Sequence, residues 1–103
     1  MAGPEATIER WAAKWCKDRG ITFLKMTPQG DTGWPDRLII FPNGYTLWVE
    51  FKRPGGIVSP KQNWVHNKLR NLGHRVEVCD DKEEFVAVTK DALSKATGGV
   101  YRP

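Results

Sequence analysis

Cysteine is scarce in this chain of 103 residues, and histidine is equally scarce, with two of each. Cys16 and Cys79 stand in no C-x-x-C pair and no Cys/His spacing, which excludes a structural zinc module. Both read as small buried hydrophobes, not as a disulfide. His66 and His74 lack the partners of a histidine-based metal centre and are expected at the surface. No apolar run is long enough to cross a membrane. The opening MAGPEATIERW has no basic-then-apolar leader, so an intracellular address is expected. Repeats, low-complexity tracts and interdomain linkers are also missing, which leaves one domain over 1–103.

Tryptophan, by contrast, is plentiful at five residues, and each can bury a large area in a small core. Hydrophobic residues at 40% and charged residues at 27% exclude a disordered chain. The net charge of +4 mildly favours an anionic partner. Its distribution is uneven. Between Glu50 and Arg75 six cations face one anion, and between Val76 and Asp91 six anions face two cations. A solvated charged face is the plain reading of such a run, and a nucleic-acid surface is the functional one.

Apolar spacing predicts a first helix from Pro4 and Glu5 to about Arg19, with Ile8, Trp11, Ala12 and Trp15 inward. ITFLKM suits a strand and TPQGDTGW a loop. Two strands follow, about Asp36–Phe41 and Tyr45–Lys52. Ser59 and Pro60 open a second helix to about Leu72, with Val65, Leu69 and Leu72 inward. RVEVC reads as a strand, DKEEFVAVTKDALSKA as a helix and TGGVYRP as a loose end. The order α-β-β-β-α-β-α implies a mixed α/β sheet flanked by helices.

The hairpin between the two central strands carries the chemistry. A two-residue Asn43-Gly44 turn would set Asp36 and Glu50 on opposite faces. Pro42-Asn43-Gly44 instead fits a three-residue loop, a type I turn followed by a left-handed Gly44. Phe41 then pairs with Tyr45, Ile39 with Leu47 and Asp36 with Glu50. Alternate residues share a face, so Asp36, Glu50 and Lys52 project together, away from Ile39, Phe41, Leu47, Val49 and Phe51. Two opposed carboxylates repel, which folding alone does not reward. A hard divalent cation with a preference for oxygen ligands would.

G-W-P-D followed by V-E-F-K resembles the PD-(D/E)-x-K nuclease superfamily. With K-R-P-G-G, S-P-K-Q and L-G-H-R-V-E-V, the chain is similar to its VRR-NUC branch from Glu9 to about Phe85. The resemblance implies a restriction-endonuclease-like fold and a Mg²⁺- or Mn²⁺-dependent endonuclease. Small standalone members, often virus-encoded, resemble Holliday-junction resolvases and act as homodimers; larger relatives serve DNA repair. By the same resemblance the metal rests on Asp36, Glu50, the backbone carbonyl of Phe51 and Glu9, with Glu5 as fallback for Glu9. Lys52 faces the attacking water, and Gln62 supports the site.

Each residue also has a plainer reading. Asp36 fits a strand start, Glu50 an ion pair with Lys52 or Arg37, Lys52 a surface lysine and Glu9 an exposed helix acid. Gln62 stands three residues after Ser59, the spacing of a capping box. Trp11, Trp15 and Trp48 read as core or dimer interface. Arg53, Lys61, Lys68 and Arg70 are candidates for phosphate contacts on branched DNA, and Trp34, on its loop, for touching substrate. The rival function is a non-catalytic DNA-structure-binding module or a subunit of a larger repair complex.

Overall fold

The structure, a computed structural model, describes residues 3–98. Helix α1 (Pro4–Asp18) starts on a proline, whose missing N–H costs nothing at that position, and buries Ile8, Ala12, Trp15 and Cys16. Strands β1 (Thr22–Lys25), β2 (Arg37–Ile40) and β3 (Thr46–Phe51) follow as an antiparallel meander. Helix α2 (Pro60–Asn71) then crosses over to β4 (Arg75–Cys79), which pairs with β3 in parallel. Helix α3 (Lys82–Ala96) completes the expected order, and the sheet runs β1-β2-β3-β4. The tail residues 99–103 lie outside the described residues.

The register follows from the hairpin loop. Phe41 N–H donates to Tyr45 O at 2.9 Å, Ile39 faces Leu47 and Arg37 faces Val49. One step further along, Asp36 falls opposite Glu50. Gly44 is left-handed as expected (φ 73°), but Asn43 is left-handed too (φ 63°), so the loop is not a type I turn. Asparagine tolerates that region, and here its Nδ2 donates to Ala96 O at the end of α3, 2.8 Å away.

The sheet has apolar cover on both faces. Ile39, Phe41, Leu47, Val49 and Phe51 pack beneath α1 and α3, with Trp15, Phe85, Ala92 and Leu93 between. Cys16 and Cys79 are free and fully buried there, and burial pushes both thiols up to about 12. On the other face α2 lays Val65 and Leu69 on Trp48 and Val76. Leu72 does not join them: it caps the helix C-terminus and is 68% exposed, because α2 stops at Asn71. Gly33 seats the loop before β2 against the first turn of α2. A Cβ there would stand 2.9 Å from Lys61 Cγ and 3.1 Å from Lys61 O, so only glycine lets the loop approach this closely.

Candidate active site

Asp36 enters from the head of β2 and Glu50 from β3. Asp36 Oδ2 accepts from the Phe51 N–H at 2.8 Å, which fixes the side chain across the strand pair. Burial pushes its carboxyl up to about 7; the Phe51 N–H pulls the other way, while the Glu50 carboxyl and the charge of Glu9 add to the rise. Glu50 is 3% exposed. Its Oε2 accepts from Gln62 Nε2 at 3.4 Å, and its Oε1 is buried with no hydrogen-bond partner among the described residues.

Gln62 does two jobs with one oxygen. Its Oε1 accepts from Lys52 Nζ at 2.8 Å and from the Ser59 N–H at 3.0 Å, while the Gln62 N–H donates to Ser59 Oγ at 3.1 Å. The capping box is therefore formed, and the same side chain holds the ammonium of Lys52.

The acids of α1 divide. Glu9 Oε2 accepts from Arg37 Nε at 2.6 Å, yet its charge still acts on Asp36. Glu5, one turn earlier, lines a cleft of about 370 Å³ with Phe51, Lys52, Arg53, Gly55, Gly56 and Ile57. Its Oε2 is buried and without a partner among the described residues. Among the described residues, the trio of acids whose ligand atoms lie within 4.8 Å of one another is Asp80, Asp81 and Glu84, not Glu9, Asp36 and Glu50. That trio has a local cause: Asp81 caps α3, accepting from the Glu84 N–H at 2.6 Å.

The basic candidates also divide. Arg53, Lys61 and Lys68 are exposed and form no ion pair among the described residues. Arg70 lies eight residues beyond Gln62, about 12 Å along the helix, and its Nη2 donates to Val76 O at 2.9 Å. Trp34 is half-buried: its ring lies 5.8 Å from that of Trp48, and its Nε1 donates to Asp31 Oδ2 at 2.9 Å.

Three residues escaped the sequence reading. His66 is 1% exposed, not on the surface, and its Nε2 lies 3.6 Å from Glu50 Oε1. The signal was its spacing, one helical turn after Gln62 and hence on the same face. Arg37 holds Glu9. Trp64 is 60% exposed, with Lys61 Nζ and Lys68 Nζ each 5.4 Å from its ring.

The VRR-NUC domain profile matches residues 4–82. The chain belongs to the VRR-NUC family. A solved VRR-NUC domain structure superposes with a TM-score of 0.76 at 26% identity, covering 86% of this chain and 97% of that one. The chain is also similar to p44, a proposed nuclease of Acyrthosiphon pisum secondary endosymbiont phage 1. The two are 37% identical over 79 residues, 77% of this chain and 85% of the phage protein. The VRR-NUC match spans every element that carries Glu9, Asp36, Glu50, Lys52 and Gln62. Among the described residues no helix is long and apolar enough to cross a membrane.

Proposed function

We propose that this VRR-NUC protein is a divalent-metal-dependent DNA endonuclease that cuts branched DNA such as Holliday junctions and works as a homodimer. The observation that carries the reading is the buried Glu50 beside the half-buried Asp36, with Lys52 held next to them by Gln62. Two carboxyls in one half-dry site work against each other in the protein alone. The donors are all oxygen, and one of them, Glu50 Oε1, is buried without a partner among the described residues. Such a set fits Mg²⁺ or Mn²⁺.

Asp36, Glu50 and the carbonyl of Phe51 would hold the ion, with Glu9 as a further ligand once released from Arg37. When bound, the ion supplies Lewis-acid polarisation of the scissile phosphate and acidifies a water. The chain's own residues do the rest. Lys52 directs an N–H at the attacking oxygen and offsets the charge that builds on the phosphorane. Gln62 fixes where that ammonium sits. Water attacks phosphorus and gives up a proton to solvent, the P–O bond opposite it breaks, and the leaving oxygen takes a proton from solvent. Arg53, Lys61 and Lys68 bind flanking phosphates, which orients the DNA without reading its sequence.

The test is cleavage of a labelled four-way junction and of a linear duplex of the same sequence, in Mg²⁺, Mn²⁺ or EDTA. Cleavage of the junction in either metal, absent in EDTA, is the expected result. Tight junction binding with no cleavage in any metal would transfer the protein to the rival class, a structure-binding module. Light scattering tests the dimer, and a mass of 11.7 kDa with and without DNA would overturn it.

A further inference from the structure

Two buried polar atoms beside the site face each other without a formal hydrogen bond. Glu50 Oε1 and His66 Nε2 lie 3.6 Å apart, and neither has a partner among the described residues. Both side chains are closed off from water, at 3% exposure for Glu50 and 1% for His66. The gap exceeds the usual N–H···O range by a few tenths of an ångström. Buried polar atoms are nearly always satisfied, and each of these has the other as its nearest remedy.

We infer that His66 is a positioning residue for Glu50. A neutral imidazole carries its proton on one nitrogen only. With the lone pair at Nε2, two acceptors would meet in a dry site. The Nε2–H tautomer instead sets a donor facing the acceptor, and closing the gap by a few tenths of an ångström completes the hydrogen bond. Gln62 and His66 stand one turn apart on the face of α2 that meets the sheet. Gln62 Nε2 reaches Glu50 Oε2 at 3.4 Å and His66 Nε2 faces Oε1 at 3.6 Å, so α2 presents a nitrogen to each carboxylate oxygen. Asp36 stands beside them, tied to the Phe51 N–H, and two donors on α2 keep the Glu50 carboxyl turned toward it. The consequence for metal affinity rests on the nuclease reading; the contact itself does not.

The experiment joins a spectroscopic and a binding measurement. ¹⁵N NMR of imidazole-labelled wild-type protein at neutral pH is expected to show His66 as the Nε2–H tautomer, with its shifts changed by Glu50→Gln. Mn²⁺ affinity is read by EPR on the wild type and three variants whose folds are checked by amide spectra. His66→Leu and His66→Asn should bind Mn²⁺ tenfold or more weakly, the usual scale for losing a residue that orients a ligand. His66→Gln should stay within about threefold of the wild type, because a Gln amide nitrogen falls near Nε2, whereas an Asn nitrogen falls near Nδ1. An Nδ1–H tautomer in the wild type would overturn the proposal. So would Leu and Asn variants that bind Mn²⁺ as the wild type does, or a Gln variant no better than Leu. A wild-type protein that binds no Mn²⁺ would sink the nuclease reading, and the tautomer would then decide the His66–Glu50 contact alone.

Discussion

Lys52 and Asp36 carry opposite kinds of information about the site. Among the described residues Lys52 Nζ has one acceptor, Gln62 Oε1, and a protonated amine has no lone pair for a cation. Lys52→Ala should therefore leave Mg²⁺ affinity intact or improved and leave DNA binding nearly unchanged, since Arg53, Lys61 and Lys68 remain. Single-turnover cleavage should fall by on the order of a hundredfold, the scale for one lost transition-state donor. Equal losses of binding and cleavage would make Lys52 a phosphate anchor instead. Asp36 reports through pH. Its folded pKa is raised to about 7, chiefly by burial, from an ordinary value of 3.8. The folded state thus holds a proton that the unfolded chain has already released between those values. The stability linked to this group is fully present below about 4, is lost as pH rises and is gone above about 7. Asp36→Asn should remove that loss, so its unfolding midpoint in EDTA should gain on the wild type as pH climbs to 7.5. A gap that stays constant from pH 4.5 to 7.5 would contradict the raised pKa.

Among the elements, α3 has the simplest energetic role. Its Phe85 is fully buried, with ring centroids 6.0 Å from Trp15, 5.9 Å from Phe23 and 5.6 Å from Phe51. Phe85→Ala should cost about 3–5 kcal/mol in urea unfolding, as large-to-small changes in tight cores do; a cost under about 1 kcal/mol would mean the core refills. The same scale shows what was legible in the sequence. Helix starts and the three-residue length of the Pro42-Asn43-Gly44 loop were readable because caps and turns are local chemistry. The loop in turn set the register that puts Asp36 opposite Glu50, the basis of the candidate site. What was not readable depended on distant partners. The left-handed Asn43 is tied to Ala96, Trp34 is drawn onto Trp48, and Glu9 is taken up by Arg37. His66 was half legible: its spacing from Gln62 was visible, but its burial depends on how α2 lies over β3. Leu72 was misplaced because periodicity does not show on which residue a helix stops.

Charge is uneven across the whole molecule. Lys61 and Lys68 stand exposed on α2, while Asp80, Asp81, Glu83 and Glu84 gather at the start of α3. Such a polarity steers a polyanion toward one side. DNA affinity in Ca²⁺ should fall linearly in log–log form with salt, and removing Lys61 and Lys68 together should lower the slope by about two. A slope that the double variant leaves unchanged would place the DNA elsewhere. The face that α2 leaves uncovered, with Leu24 at 42% and Ile40 at 45% exposure, is where the proposed homodimer would gain apolar contact.

The shared oxygen of Gln62 ties two kinds of failure together. Lys52 Nζ is held by a group that also caps the start of a helix, and helix ends open locally before a fold is lost. Each time the first turn of α2 frays, Gln62 leaves both Ser59 and Lys52, and the ammonium loses its bearing. Warming should then silence turnover while circular dichroism still reports an intact protein. Ser59→Ala, at a stability cost of about 1 kcal/mol, should widen the interval between loss of activity and loss of fold. The chain would behave as an enzyme with a thermal fuse set in a single side chain, one that cools back to activity because the rest of the molecule never opened.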